Sequence, residues 1–126
     1  MPFRIRPIVL IVEDEAFVAR SYADTVINTG ASVGGPFPSC EAAEDWLGTH
    51  SPDVAILDIT LQDGNSAQLA KKLCGREIPF VVVSGCSADS VGIDQIFKSA
   101  PWLEKPFASK ALESALRTMM ASEPNT

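Results

Sequence analysis

A chain of 126 residues, 46% hydrophobic and 21% charged, has the size of one domain with one real core. Its net charge of -6 excludes a nucleic-acid binder that works through charge. No run approaches the length of a membrane span, and the apolar stretch Ile8 to Val12 is too short for a signal-peptide core and ends in acids.

Apolar runs alternate with helix-period segments. Ile8 to Val12 reads as a first strand. Ala16, Ala19, Ala23, Val26 and Ile27 then share one helical face, and Gly30 stands where a C-cap glycine is wanted. Ala31 to Phe37 predicts a weak edge strand, since Gly34, Gly35 and Pro36 suit no central one. Ser39 can cap a second helix whose inward face is Ala43, Trp46 and Leu47. Val54 to Leu57 is a third strand, and Leu69, Ala70 and Leu73 mark a third helix broken by Gly75. Pro79 to Ser84 is a fourth buried strand. Ala88 to Ala100 is a poor helix with Gly92 inside it, so a short or irregular element is expected there. Trp102 to Glu104 gives a short fifth strand. Ser109 opens a last helix with Leu112, Ala115, Leu116, Met119 and Met120 inward. The final residues, from Ala121, read as a frayed polar tail, and a domain without an output module is expected. Cys40, Cys74 and Cys86 are an odd number without metal-ligand spacing. They fit a reducing cytoplasm, with Cys40 and Cys74 expected as small packing residues. His50, beside a Ser-Pro-Asp turn, is expected as a surface loop residue without a partner.

Unbroken apolar strands separated by helices imply a parallel sheet covered on both faces, a doubly wound α/β fold. Such folds work at the carboxyl ends of their strands. Glu13, Asp14 and Glu15 follow the first strand, Asp58 the third, Ser84 and Gly85 the fourth, and Lys105 with Pro106 the fifth. Each has a bland reading alone: acids favouring a helix N-terminus, a turn aspartate, a capping serine, a surface lysine. Delivered to one sheet edge, the carboxylates repel one another unless cations join them. Lys105 supplies one positive charge, and the oxygen-only donor set favours magnesium over zinc for the rest. That combination points to phosphoryl chemistry on a carboxylate, with Ser84 and Lys105 serving the phosphoryl oxygens.

With these motifs in order, "IVLIVEDE", "VAILDITL", "PFVVVSG" and "LEKPF", spaced 44 residues from Asp14 to Asp58, 26 on to Ser84 and 21 on to Lys105, the sequence resembles a response-regulator receiver domain of two-component signalling. The resemblance implies a five-stranded flavodoxin-like sheet of order 2-1-3-4-5 over residues 1–121. It implies Asp58 as phosphoacceptor and a magnesium site of Asp14, Asp58, the Thr60 backbone carbonyl and, through water, Glu13. Ser84 corresponds to the switch hydroxyl, Lys105 to the phosphoryl-contacting lysine, and Trp102 to the aromatic switch position. Gly85 and Cys86 flank the site, Cys86 partly exposed, and Lys105-Pro106 is often cis in that family. The resemblance also implies a histidine kinase or phosphotransfer protein as donor, a downstream protein partner or a phosphate-sink role, a cytoplasmic setting, no small-molecule substrate and no enzyme activity beyond the domain's own phosphorylation and dephosphorylation.

Three departures from the family pattern stand out. Gln62 replaces a common proline four residues after the acceptor, Trp102 replaces Tyr or Phe, and the fourth helix is weak, as in a stand-alone subgroup. Two other functions compete: a pseudo-receiver with a silent site, and a haloacid-dehalogenase-type phosphatase, whose second aspartate is here Thr60.

Overall fold

The computed structural model describes residues 6–121; residues 122–126 of the expected polar tail lie outside this range. Five strands form a parallel sheet: β1 (Ile8–Val12), β2 (Ser32–Phe37), β3 (Val54–Asp58), β6 (Phe80–Ser84) and β7 (Trp102–Glu104). Their order is β2-β1-β3-β6-β7. This is the expected 2-1-3-4-5 order, because β4 (Thr60–Leu61) and β5 (Gly64–Asn65) form a separate two-stranded antiparallel hairpin directly after β3.

Alternation along the central strands divides the core. Leu10, Val12, Ala55, Leu57 and Val82 face α2 (Cys40–Leu47), α3 (Ala67–Gly75) and the single turn α4 (Gln95–Lys98). Val9, Ile11, Val54, Ile56, Val81 and Val83 face α1 (Ala16–Asn28) and α5 (Ser109–Ala121). Strands buried on both faces have no polar alternation, which explains their unbroken apolar runs. β2 is the edge strand. A side chain at Gly34 would meet the Trp46 ring at 2.8 Å, so glycine is what lets α2 close on the edge.

The Ser39 hydroxyl caps α2 by accepting from Ala42 N–H at 3.1 Å. α4 is as short as Gly92 and the poor apolar face predict. It is capped by the Asp94 carboxylate, which accepts from Ile96 N–H, and anchored by fully buried Phe97.

Three expectations are corrected. The inward face of α1 is Ala19, Tyr22, Thr25 and Val26, while Ala16 is exposed and Ile27 is 60% exposed. Tyr22 turns the face by stacking on Phe107 at 5.9 Å, and the Thr25 hydroxyl hides its proton on the Ser21 carbonyl. Cys74 is exposed on α3, whereas Cys40 is half-buried and its thiol is pushed up to about 11 by burial and then by the Asp63 charge. His50 is exposed but does have partners: it stacks flat on Trp46 at 4.6 Å, and its Nδ1 lies 2.9 Å from the Thr49 hydroxyl.

Candidate functional site

Parallel strands that end at one edge bring their following residues together. Glu13 leaves β1 with its N–H held by the Phe37 carbonyl at 2.9 Å. Asp58 is the last residue of β3 and sits opposite Val83, one position before Ser84. Lys105 leaves β7 with its N–H on the Ser84 carbonyl at 2.7 Å, and the Lys105-Pro106 peptide is cis.

The lysine ammonium is the hub. Lys105 Nζ donates to Asp58 Oδ2 at 2.8 Å and to Glu13 Oε1 at 3.0 Å. The Glu13 side chain is fully buried, Asp58 nearly so, and Lys105 is 24% exposed. The second oxygens are also engaged: Glu13 Oε2 accepts from Glu15 N–H at 3.1 Å, and Asp58 Oδ1 accepts from Thr60 N–H at 3.2 Å. Asp14 is half-buried beside them.

Burial works against Glu13 ionisation and raises its pKa to about 7, with the Lys105 hydrogen bond pulling the other way and the Asp58 charge adding to the rise. For Lys105 burial acts to lower the pKa. The hydrogen bonds and charges of Asp58 and Glu13 outweigh it, so the ammonium titrates well above its usual range.

Glu13, Asp14 and Asp58 each place one carboxylate oxygen within 4.8 Å of the others. An all-oxygen set of this charge suits a hard divalent cation such as magnesium, and the ammonium neutralises only part of it. A pH dependence follows. A carboxyl whose folded pKa is raised to about 7 binds its proton more tightly in the folded chain. Its contribution to stability is therefore greatest below the ordinary 4.5 and declines as pH rises to about 7. A cation competes with that proton. Magnesium affinity, read by calorimetric titration, is expected to rise by up to about tenfold from pH 6 to pH 8. Glu13→Gln is expected to flatten the profile, and a wild-type affinity independent of pH would contradict it.

The remaining expected positions lie around this cluster. Ser84 is buried and its hydroxyl oxygen accepts from Cys86 N–H at 3.0 Å. Trp102 is half-buried, and its indole N–H donates to the Cys86 carbonyl at 2.9 Å. Cys86 thus joins the hydroxyl to the aromatic ring through its own backbone, and its side chain is exposed, as is Gly85. The Thr60 side chain is exposed while its backbone opens the hairpin. Sequence reasoning missed two contacts. The Ser66 hydroxyl, fully buried, donates to the Asp58 backbone carbonyl at 2.6 Å. The Asp63 carboxylate accepts from Cys40 N–H and Glu41 N–H at 3.0 and 3.1 Å. The Asp63-Gly64 pair was the available signal, since Asp-Gly marks tight hairpins and Gly64 has φ +120°.

The sequence pattern of the response regulator receiver domain matches residues 9–117. The chemotaxis protein CheY of Bacillus subtilis is 30% identical, over 88% of this chain and 96% of that protein. A positive alginate biosynthesis regulatory protein of Pseudomonas aeruginosa is 34% identical over 93% of this chain, which spans only 48% of that relative's length. The solution structure of SdrG from Sphingomonas melonis Fr1 superposes with a TM-score of 0.77 at 31% identity, covering 94% of this chain and 99% of that one. Among the described residues no helix is long and apolar enough to cross a membrane. A flavodoxin-like sheet whose strand ends gather three carboxylates and a lysine, matched by family and structure over nearly its whole length, makes this chain a member of the response regulator receiver domain family of two-component signalling.

Proposed function

We propose that the chain accepts a phosphoryl group on Asp58 from a histidine kinase or phosphotransfer protein in the cytoplasm. The signal then leaves through a protein-binding face that phosphorylation controls, or ends here as a phosphate sink. The single observation that carries this reading is the Lys105 ammonium bridging Asp58 and Glu13. A carboxylate held by an ammonium at a sheet edge is an oriented nucleophile beside a fixed positive charge.

An Asp58 carboxylate oxygen attacks phosphorus. The new O–P bond forms as the donor's N–P bond breaks, and the departing imidazole takes a proton. Lys105 then contacts a phosphoryl oxygen and offsets its charge. Asp14, Asp58 and the Thr60 carbonyl would hold magnesium, with Glu13 acting through water. When bound, the ion supplies charge neutralisation of the transferring group. Ser84 turns its hydroxyl toward the phosphoryl group and gives up the Cys86 N–H. Because Cys86 also holds the Trp102 indole, the exchange is felt at β7.

A donor protein must cover the surface next to Asp58. Lys105, which holds Asp58, also lines a cavity of about 490 Å³ between α1 and α5, together with Glu15, Phe17 and Phe107. Phe17 is 91% exposed at its mouth. Phe17→Ala is expected to slow transfer from a phosphorylated donor protein at least tenfold while leaving acceptance from acetyl phosphate unchanged. Equal loss with both donors would remove Phe17 from the docking surface.

The experiment that tests the whole reading is incubation with acetyl phosphate and magnesium, followed by intact-mass measurement. A gain of one phosphoryl group, abolished by a chelator, is expected. A chain that gains none is a binding module with a silent site.

A further inference from the structure

The segment after the acceptor is not a free loop. It rises from Asp58 into β4, turns at Gln62-Asp63 and returns through β5 to Ser66, pairing Thr60 with Asn65 and Leu61 with Gly64. Leu61 is buried in the main core on the α2–α3 side. Both ends of this hairpin are tied by side chains. At the base, fully buried Ser66 donates its hydroxyl to the Asp58 carbonyl at 2.6 Å, and its N–H goes to the Ile59 carbonyl at 2.8 Å. Ser66 precedes α3 in the N-cap position, yet its side chain makes no cap there. The hydroxyl is committed to the acceptor strand instead of to its own helix.

At the tip, Asp63 accepts from the first two N–H groups of α2, Cys40 and Glu41. Ser39 takes the next two, Ala42 through its hydroxyl and Ala43 through its carbonyl. The Ala43 bond is the first of the helix itself, so three orphan donors of the α2 N-terminus, Cys40, Glu41 and Ala42, are shared between its own cap and the hairpin. A carboxylate at this end is favoured by both the hydrogen bonds and the helix dipole.

The hairpin begins at Thr60, whose N–H is on Asp58 Oδ1 at 3.2 Å. Thr60 therefore touches the acceptor carboxylate through its N–H, and its carbonyl belongs to the next peptide, whose direction is set by the start of the hairpin. We propose that Asp63 and Ser66 are positioning residues: they clamp the hairpin between the α2 N-terminus and the acceptor strand, and so hold the Thr60 backbone ready for the divalent cation. The inference rests on the metal site proposed above. It gives the hairpin the work that a proline, absent at Gln62, does by stiffness alone.

The test compares two substitutions that each remove hydrogen bonds from the α2 N-terminus, two at Asp63 and one at Ser39. Asp63→Ala breaks the clamp. Ser39→Ala breaks a cap that does not touch the hairpin. Magnesium affinity of the full chain is measured by calorimetric titration, with the thermal midpoint measured alongside. Both variants are expected to lose thermal stability. Only Asp63→Ala is expected to lose magnesium affinity, by about tenfold, the scale of outer-shell partners. Asp63→Asn keeps a neutral acceptor oxygen and is expected to fall between. Ser66→Ala is expected to weaken affinity as Asp63→Ala does. The Thr60 amide resonance is expected to shift in Asp63→Ala and stay in place in Ser39→Ala. Equal affinities in Asp63→Ala and Ser39→Ala would overturn the clamp and leave the metal site standing. Failure of the unmutated chain to bind magnesium would overturn the metal site, and the clamp with it.

Discussion

Asp58→Asn is expected to end phosphoryl acceptance from acetyl phosphate while leaving the fold in place. The amide keeps the shape of the carboxylate, but its single carbonyl oxygen can keep only one of the two bonds that Asp58 accepts on separate oxygens, from Lys105 Nζ and from Thr60 N–H. It lacks the charged oxygen that attacks phosphorus. The same change removes a negative charge that pushes Glu13 up, so Glu13 is expected to titrate below its value of about 7 in the parent chain. Stability at neutral pH is then expected to stay within about 1 kcal/mol of the parent or to rise, as one like charge leaves a crowded edge. Intact mass and a thermal scan read both halves. A phosphoryl mass that survives the substitution would place the acceptor elsewhere, with Glu13 and Asp14 the nearest candidates. A collapse of the thermal midpoint would mean that Asp58 serves mainly to hold Lys105.

The parts of this molecule that sequence made legible share one cause. β1, β3 and β6 are buried on both faces, so their composition alone marks them, and a parallel sheet must then deliver the residues that follow them to one edge. Glu13, Asp14, Asp58, Ser84 and Lys105 gather there for that reason. The edge strand was legible from Gly34, Gly35 and Pro36, and the stunted α4 from Gly92. The illegible parts depend on contacts that no periodicity encodes. Alanines define no helical face, so α1 was set by Tyr22 stacking on a phenylalanine 85 positions later in the chain. Asp63 acts on backbone N–H groups 22 and 23 residues away, and Ser66 on a carbonyl 8 away. Trp102 reaches a carbonyl 16 residues back. Side chains that bond to distant backbone leave no residue-type signature at either end, because every residue offers the same carbonyl.

Lys105→Met carries the largest expected effect on stability. Methionine keeps most of the apolar stem and removes the ammonium, so the loss is electrostatic and not a cavity. Glu13, fully buried, and Asp58, nearly so, then face each other with no cation between them. Breaking a buried pair by removing one partner strands the remaining charge, and here the lysine is partly solvated, so a loss of about 2–3 kcal/mol at pH 8 is expected, a fall of roughly 10 °C in the thermal midpoint. The sign with pH follows from Glu13. Lys105 is the group that pulls the Glu13 pKa down toward 7, so without it that pKa goes higher. A protonated Glu13 relieves the repulsion, and the deficit of the variant is expected to shrink as pH falls from 8 through 6. Magnesium is expected to do at high pH what the proton does at low pH, raising the midpoint of the variant more than that of the parent, since it replaces a missing cation in one and joins an existing one in the other. Phosphoryl acceptance is expected to fall about a hundredfold even with magnesium present, because the ion cannot stand where the ammonium contacts the phosphoryl oxygens. Thermal scans at pH 6 and pH 8, each with and without magnesium, separate these effects. A deficit of equal size in all four conditions would mean that Lys105 acts through packing, and the electrostatic account of the site would fail with it.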